Sequence, residues 1–139
     1  MADAVDKGAK VVLGGKRHEL GQSFYEPTVV TGATQDMRVA KEEIFGPMAP
    51  VFRFDNTEEA ITMANDTDFG LCAYAYTREI GQIMRLNEAL EYGMIGINSG
   101  LITTVEAPFG GVKESGLGKE GGSQGLADYL DTKYTAVEF

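Results

Sequence analysis

The sequence has 139 residues, which is enough for one domain with its own core, since folding at this length buries about two-thirds of the unfolded surface. Its formal net charge of -9, from 12 basic and 21 acidic residues, disfavours nucleic acid or an anionic membrane as a partner. A single cysteine excludes an internal disulfide framework, and no signal peptide or apolar run of about twenty residues is present. These features favour a reducing, soluble compartment, and we expect a cytoplasmic protein.

The first elements predicted are an opening helix and two extended segments. The helix begins at the start of the chain without a capping signal, and Lys10–Leu13, closed by two glycines, reads as a short strand. The segment Phe24–Thr31 is also extended, although Pro27 keeps part of it off a central hydrogen-bond ladder. His18 lies in the polar connection between these segments. Because there is no second histidine, we predict neither a metal site nor a catalytic pair there.

A βαβαβ unit with parallel strands is predicted over the middle of the chain. Its strands are Ala49–Phe54, Leu71–Tyr76 and Met94–Ile97, joined by two helices whose apolar residues recur at helical spacing. Either Asp55 or Asn56 can cap the first helix, and Glu59, three residues after Asn56, is placed to reach back in a box-like arrangement. The predicted fold class is therefore α/β, with a parallel sheet whose strand ends carry ligand-binding loops.

Loops and a short tail are predicted for the last third of the chain. The segment 98–111 follows the third strand, where open α/β proteins bind their ligands. The stretch 110–125 is too rich in glycine for a regular element, and a short helix is predicted over Gln124–Leu130. A final strand is predicted over Lys133–Phe139. Because apolar residues lie on both of its faces, this strand needs packing partners on each side.

The stretch Lys41–Pro47 combines two carboxylates, Glu42 and Glu43, with the aromatic ring of Phe45 and a Gly-Pro exit. Adjacent carboxylates repel unless a cation or a hydroxyl-rich ligand shares them, and an aromatic ring offers a flat face to a planar heterocycle. A sugar beside a heterocycle satisfies both features. Alternatively, the stretch is a helix end with solvated carboxylates, in which the Gly-Pro pair stops the helix.

Three motifs agree in order and spacing with those of one enzyme family. They are Glu42–Pro47, Asn65–Leu71 and Pro108–Gly116, and together they resemble the C-terminal part of an aldehyde dehydrogenase. The flanking stretches Gly100–Thr104 and Leu117–Gly121 most resemble those of the succinate-semialdehyde dehydrogenases. The resemblance covers nearly the whole chain.

This resemblance implies that the chain is part of a longer protein. Members of the family have a separate dinucleotide-binding domain and a catalytic cysteine upstream of everything seen here. Residues 1–130 are then a partial catalytic domain, and residues 131–139 are a terminal strand through which the subunits of a homo-oligomer associate. The implied cofactor is NAD or NADP, and the contacts that discriminate between them belong to the missing domain.

Carried over by position, the resemblance implies roles for five side chains. Glu43 accepts hydrogen bonds from the ribose hydroxyls of the nicotinamide nucleotide, and Phe45 packs beside the nicotinamide ring. Thr103 stands where succinate-semialdehyde dehydrogenases place a hydroxyl, usually of serine, that binds the distal carboxylate of the substrate; alternatively, it is a loop threonine bonded to its own backbone. Phe109 lines the aldehyde tunnel or packs under its loop. Glu120 relays protons towards the catalytic site or is a solvated charge.

Other features that invite a catalytic interpretation are assigned structural roles. Cys72 is the only cysteine, but its predicted strand holds no histidine or basic residue to favour a thiolate, so a buried, inert thiol is predicted. Gly116–Gly121 matches the pattern G-x-G-x-x-G but lacks the strand and helix that a dinucleotide site requires, so a flexible turn is predicted. Asp131 and Lys133 are interpreted as supports for the final strand.

The activity implied by the resemblance is the oxidation of succinate semialdehyde to succinate. In that reaction a cysteine attacks the aldehyde, hydride passes to the nicotinamide, and water hydrolyses the thioester with help from a general base. Because these primary groups are absent from this sequence, we expect the isolated chain to be inactive. Two alternatives stay open: another semialdehyde such as glutarate semialdehyde, or a non-catalytic assembly module that uses the end strand and an uncovered sheet edge.

Overall fold

Extended segments rich in β-branched residues build a three-stranded sheet in the first part of the chain. The structure is a computed structural model that describes residues 1–139, and it divides into two units, Met1–Thr67 and Asp68–Phe139. In the first unit, β1 is Lys10–Leu13, β2 is Thr28–Ala33 and β3 is Met48–Phe52. β2 is central, antiparallel to β1 and parallel to β3.

The first helix, the central strand and two residues of the connecting segments supply the core of this unit. The helices are α1 (Ala2–Asp6), α2 (Arg38–Lys41) and α3 (Thr57–Asn65). The core side chains are small or flexible, so they fit closely between the helices and the sheet. They are Ala4, Ala9, Val30, Ala33 and Met37.

The cap predicted for α3 is confirmed. The side-chain oxygen of Asn56 accepts a hydrogen bond from the Glu59 backbone N–H at 3.0 Å, and the Glu59 carboxylate accepts one from the Asp55 backbone N–H at 2.8 Å. Two donors that would otherwise lack partners at the helix start are thereby satisfied. The Glu59 carboxylate thus binds the N–H of the residue before the cap, Asp55, and not that of Asn56.

The second unit contains two two-stranded sheets. β4 (Phe69–Gly70) pairs antiparallel with β7 (Val112–Lys113). β5 (Cys72–Ala75) pairs parallel with β6 (Met94–Ile97), and the connection between them contains α4 (Ile80–Ala89). β4 lies directly before β5 and was not among the strands predicted from the sequence.

The predicted βαβαβ unit was wrong in its strand pairing, although the β5-α4-β6 half of it is confirmed. β3 pairs with β2, from Thr28 opposite Met48 to Ala33 opposite Phe52, and does not pair with β5. A local pattern shows which residues are extended, but strand order depends on which edges meet in three dimensions. The architecture is a mixed α/β one, with parallel and antiparallel pairs.

The end of the chain differs from the prediction. A 3-10 helix over Gln124–Tyr129 confirms the short helix expected there. The final strand over Lys133–Phe139 has no strand partner within the chain, where residues 131–139 are all exposed, and its pairing with a neighbouring subunit stays a prediction. A strand requires a partner that takes up its N–H and C=O groups. Asp131 and Lys133 therefore support no strand within the chain.

None of the helices combines the length with the apolar character that a membrane span requires.

Candidate functional site

The loop after α2 carries the two side chains predicted to bind the cofactor. α2 ends at Lys41, and the backbone is already extended at Glu42, with φ -94° and ψ 137°. The helix therefore stops before the Gly-Pro pair rather than at it. Glu43 and Phe45 follow in irregular, exposed backbone.

The two adjacent carboxylates of this loop have different surroundings. Arg38 donates from Nε to Oε1 of Glu42 and from Nη2 to Oε2, both at 2.7 Å. These hydrogen bonds hold the pKa of the Glu42 carboxyl below its usual range and raise the pKa of the Arg38 guanidinium. Glu43 forms no hydrogen bond or ion pair within the chain. The pair of carboxylates is therefore not one shared site, and only Glu43 has its oxygens unoccupied.

Phe45 is held in a conformation that leaves its ring in solvent. Its side chain is 94% exposed, and its φ of 41° lies in the left-handed region that non-glycine residues rarely adopt. Such a conformation costs of order 1–3 kcal/mol unless surrounding structure enforces it. An exposed ring on strained backbone, two residues after an unpaired carboxylate, fits a loop that meets a planar ligand.

Two of the three predicted site residues in the second unit, Phe109 and Glu120, line a glycine-rich cleft of about 570 Å³. Phe109 and Glu120 form an isolated β-bridge in which each backbone N–H donates to the other's carbonyl oxygen at 2.7 Å. Both residues line the cleft, with a rim of glycines and with Asp128 and Tyr129. The structure thus brings the predicted tunnel residue and the predicted proton relay together.

Lys119 also lines this cleft, and the sequence analysis assigned it no role. Its ammonium donates hydrogen bonds to the backbone carbonyl oxygens of Gly110 and Gly111, both at 2.8 Å. The only feature in the sequence that relates these residues is that Lys119 follows the Gly-Gly pair by eight and nine positions. In a loop, such a spacing does not predict a contact.

Thr103 lies in the segment that follows β6, but it does not line the cleft. The residue is exposed, and its hydroxyl forms no hydrogen bond within the chain, so the alternative of a threonine bonded to its own backbone is wrong. Its neighbour Thr104 donates instead to the carboxylate of Glu106, which lowers the pKa of that group. The hydroxyl of Thr103 is therefore free to bind a ligand.

Gly116–Gly121 is irregular backbone that bends at residues 117–118 and bridges at Glu120, and it is not a dinucleotide fingerprint. Gly116, Gly118 and Gly121 have φ values of 128°, 74° and 66°, which side chains disfavour. No helix begins directly after this segment, because the next one starts at Gln124 and is a 3-10 helix. The backbone amides are consequently not aligned at the start of an α-helix, which a pyrophosphate site requires.

Cys72 lies in β5 as predicted, but it is partly rather than fully buried. Its side chain lies on the same strand face as that of Tyr74, two residues along, and the interaction with the Cys72 thiol raises the pKa of the Tyr74 hydroxyl. No histidine lies in this unit of the chain, so the thiol has no histidine base beside it.

The chain was compared with protein families, curated proteins and solved structures, and all three comparisons found matches. The model of the aldehyde dehydrogenase family matches residues 1–135. The chain is 56% identical to the glutarate-semialdehyde dehydrogenase of Pseudomonas aeruginosa over 99% of its length, and 52% identical to the NADP(+) succinate-semialdehyde dehydrogenase of Escherichia coli over 99%. The crystal structure of a succinate-semialdehyde dehydrogenase from Burkholderia pseudomallei matches 92% of the chain, with 62% identity and a TM-score of 0.89.

The chain spans only part of each of these proteins. It covers 28% of the length of the two curated relatives and 27% of the Burkholderia chain. The chain belongs to the aldehyde dehydrogenase family.

Proposed function

We propose that the chain is part of an NAD(P)-dependent aldehyde dehydrogenase that oxidises succinate semialdehyde to succinate. The observation that carries this proposal is the unpaired carboxylate of Glu43 beside the exposed ring of Phe45, in a chain whose relatives are named for semialdehydes. Because glutarate semialdehyde differs from succinate semialdehyde by one methylene, it is the competing substrate. We also propose a cytoplasmic location, since one cysteine suits a reducing compartment.

The loop after α2 suits a nicotinamide cofactor. Glu43 can accept two hydroxyl hydrogen bonds, one on each oxygen, because neither oxygen is engaged within the chain. The ring of Phe45 can restrict the position of a flat heterocycle, because no side chain of the protein covers it. When bound, NAD or NADP supplies the acceptor for the hydride. In this proposal the two residues hold and orient the cofactor.

The second unit supplies walls and a proton path for the aldehyde. The hydroxyl of Thr103 donates to the distal carboxylate of the substrate, and the ring of Phe109 lines the route to the reacting carbon. A hydroxyl alone holds a carboxylate weakly, so basic residues from other parts of the intact enzyme complete the site. Glu120, at the cleft, relays protons between solvent and the catalytic groups.

The isolated chain is proposed to be inactive, because the family reaction needs a cysteine nucleophile and a general base. Cys72 does not meet that need, since it lies partly buried in β5 with no histidine beside it. Formation of NAD(P)H by the 139-residue chain and by the longer protein that carries it should be measured with succinate semialdehyde, glutarate semialdehyde and butanal. We expect turnover by the longer protein only, with the highest kcat/KM for succinate semialdehyde.

Two outcomes would overturn this proposal. Turnover by the isolated chain would contradict its inactivity, and failure of the longer protein to oxidise any of the three aldehydes would contradict the activity. If glutarate semialdehyde had the higher kcat/KM, the substrate assignment would change and the family chemistry would stand. Butanal serves as the control, because it has the chain length of succinate semialdehyde without its carboxylate.

A second candidate function is assembly through the tail. Residues 131–139 are fully exposed and pair with no strand of the chain, yet they include Tyr134, Val137 and Phe139. Pairing with another subunit would satisfy the backbone and cover these side chains. Light scattering on the longer protein with and without residues 131–139 tests this function. We expect deletion to dissociate a homo-oligomer, and a concentration-independent monomer before deletion would exclude assembly.

A further inference from the structure

The ammonium of Lys119 is held by backbone carbonyls instead of a carboxylate. Its Nζ lies 2.8 Å from the carbonyl oxygens of Gly110 and Gly111, in partly buried surroundings. No Asp or Glu oxygen lies within ion-pair distance of it, although Glu120 is its neighbour in sequence. A charge that leaves water needs polar partners, and here two carbonyl dipoles replace part of its hydration.

The glycines that accept these bonds are packed too closely to bear side chains. A Cβ at Gly110 would lie 2.8 Å from the backbone oxygen of Gly118 and 2.9 Å from Cδ of Lys119. A Cβ at Gly111 would lie 3.0 Å from the backbone oxygen of Ser115. Such distances are shorter than ordinary van der Waals contact, so the lysine stem lies directly on the backbone whose carbonyls its ammonium binds.

These contacts lie directly beside the Phe109–Glu120 bridge. Phe109 directly precedes Gly110, and Glu120 directly follows Lys119, whose ammonium binds the Gly110 carbonyl. The two bridge hydrogen bonds of 2.7 Å and the two ammonium bonds of 2.8 Å therefore join the same two backbone segments. Movement of the Gly110 and Gly111 carbonyls away from Lys119 would displace the ring and the carboxylate together.

We propose that Lys119 is a positioning residue that sets where the ring of Phe109 and the carboxylate of Glu120 stand at the cleft. This inference rests on the proposed function, in which the ring lines the aldehyde route and the carboxylate relays protons. The ammonium acts through the backbone and touches neither substrate nor cofactor. Its loss leaves two carbonyl oxygens without donors and frees the bridge to open.

Substitutions at Lys119 in the longer protein that carries this chain test the proposal. Lys119→Met keeps the stem and removes every donor, whereas Lys119→Arg keeps the charge and can donate to both carbonyls. Lys119→Gln serves where the methionine variant does not fold. Lys10→Met is the matched control, because the Lys10 ammonium is exposed on β1 and forms no ion pair.

Two readouts are measured on each variant. Hydrogen exchange of the Phe109 and Glu120 amides reports the bridge, and we expect it to be about tenfold faster in Lys119→Met. Steady-state kinetics report positioning, and we expect kcat/KM for the aldehyde to fall about tenfold to a hundredfold with KM for NAD(P) unchanged. Lys119→Arg should restore most of both values, and Lys10→Met should match the parent.

Each contrary outcome has a distinct meaning. If the Phe109 and Glu120 amides exchange no faster in Lys119→Met, the Lys119 ammonium does not stabilise the bridge. Faster exchange with unchanged aldehyde kinetics overturns the positioning role and leaves a purely structural bond. An arginine variant as impaired as the methionine variant shows that packing matters and the charge does not, which also contradicts the proposal. If the parent oxidises no aldehyde, the proposed function and the positioning role fail together. Hydrogen exchange still shows whether the Lys119 ammonium stabilises the Phe109–Glu120 bridge.

Discussion

Arg38 and Glu42 form a two-point ion pair, with both donor–acceptor distances at 2.7 Å, directly beside the unpaired Glu43. Because both groups are largely exposed, this pair contributes little to stability. Its effect is to divide the tasks of two adjacent carboxylates. The Glu42 carboxylate is neutralised by a residue one helical turn earlier, whereas the Glu43 carboxylate has no partner within the chain.

This division predicts unequal effects of two matched substitutions on cofactor binding. In the longer protein, Glu43→Gln should raise KM for NAD(P) by about tenfold, because hydrogen bonds to a charged acceptor are worth about 1.5–3 kcal/mol. Glu42→Gln removes the same charge one residue away and should leave KM for NAD(P) nearly unchanged. Steady-state kinetics at saturating aldehyde measure both values. Equal effects of the two variants would show that net charge, and not the Glu43 carboxylate, governs binding.

Thr103 is predicted to discriminate between aldehydes by their distal carboxylate. Thr103→Val removes the hydroxyl with little change in shape, and we expect KM for succinate semialdehyde to rise about threefold to tenfold, in keeping with the loss of one hydrogen bond. KM for butanal should not change, because butanal has no carboxylate to lose a donor. Thr103→Ser retains the hydroxyl and should behave as the parent. A parallel rise for both aldehydes in the valine variant would indicate a general disturbance of the loop.

Asp3 is predicted to make stability depend on pH in the acid range. Its carboxylate accepts a hydrogen bond of 2.8 Å from the Arg38 backbone N–H and lies 3.2 Å from the Lys7 ammonium, and these contacts lower the pKa of Asp3. A lowered pKa in the folded state adds stability above the unfolded value of about 3.9, and this stability is lost as pH falls through the folded value.

Asp3→Asn should therefore lower the urea midpoint of the chain at pH 7, with a deficit that shrinks as the pH drops below about 4. Asp6→Asn is the control, because Asp6 lies on the same helix and forms no hydrogen bond or ion pair through its side chain. Urea titrations at several pH values give the comparison. A deficit that stays constant with pH would mean that the Asp3 charge is not its source.

Two glycine-to-alanine substitutions in the second unit are predicted to have opposite signs. A Cβ at Gly96 would lie 2.8 Å from the Ser99 backbone oxygen and 2.7 Å from Cγ2 of Ile102, so Gly96→Ala should cost about 1–3 kcal/mol. A Cβ at Gly81, in α4, would meet nothing within 4 Å, so Gly81→Ala should stabilise by about 0.4–1 kcal/mol. Urea unfolding measures both changes, and loss of stability in Gly81→Ala would contradict the open space around it.

Local signals in the sequence were enough for several elements. Asn56 and Glu59 have the residue types and spacing of a helix start, and the bonds they form lie within four residues of each other. The β5-α4-β6 unit was predictable because a short connection through a helix forces neighbouring strands to be parallel. The family resemblance rested on motifs that are contiguous in sequence, and the comparisons confirm it.

Long-range contacts decided the rest. The sequence by itself determined where most strands lie, the start of α3 and the family, because each depends on residues close together in the chain. Only the tertiary structure paired β3 with β2 and left residues 131–139 without a partner within the chain. It also placed the Lys119 ammonium within hydrogen-bond distance of the Gly110 and Gly111 carbonyl oxygens. Contacts between residues far apart in the sequence depend on which surfaces pack together in the folded chain. A local pattern of residues therefore does not predict them.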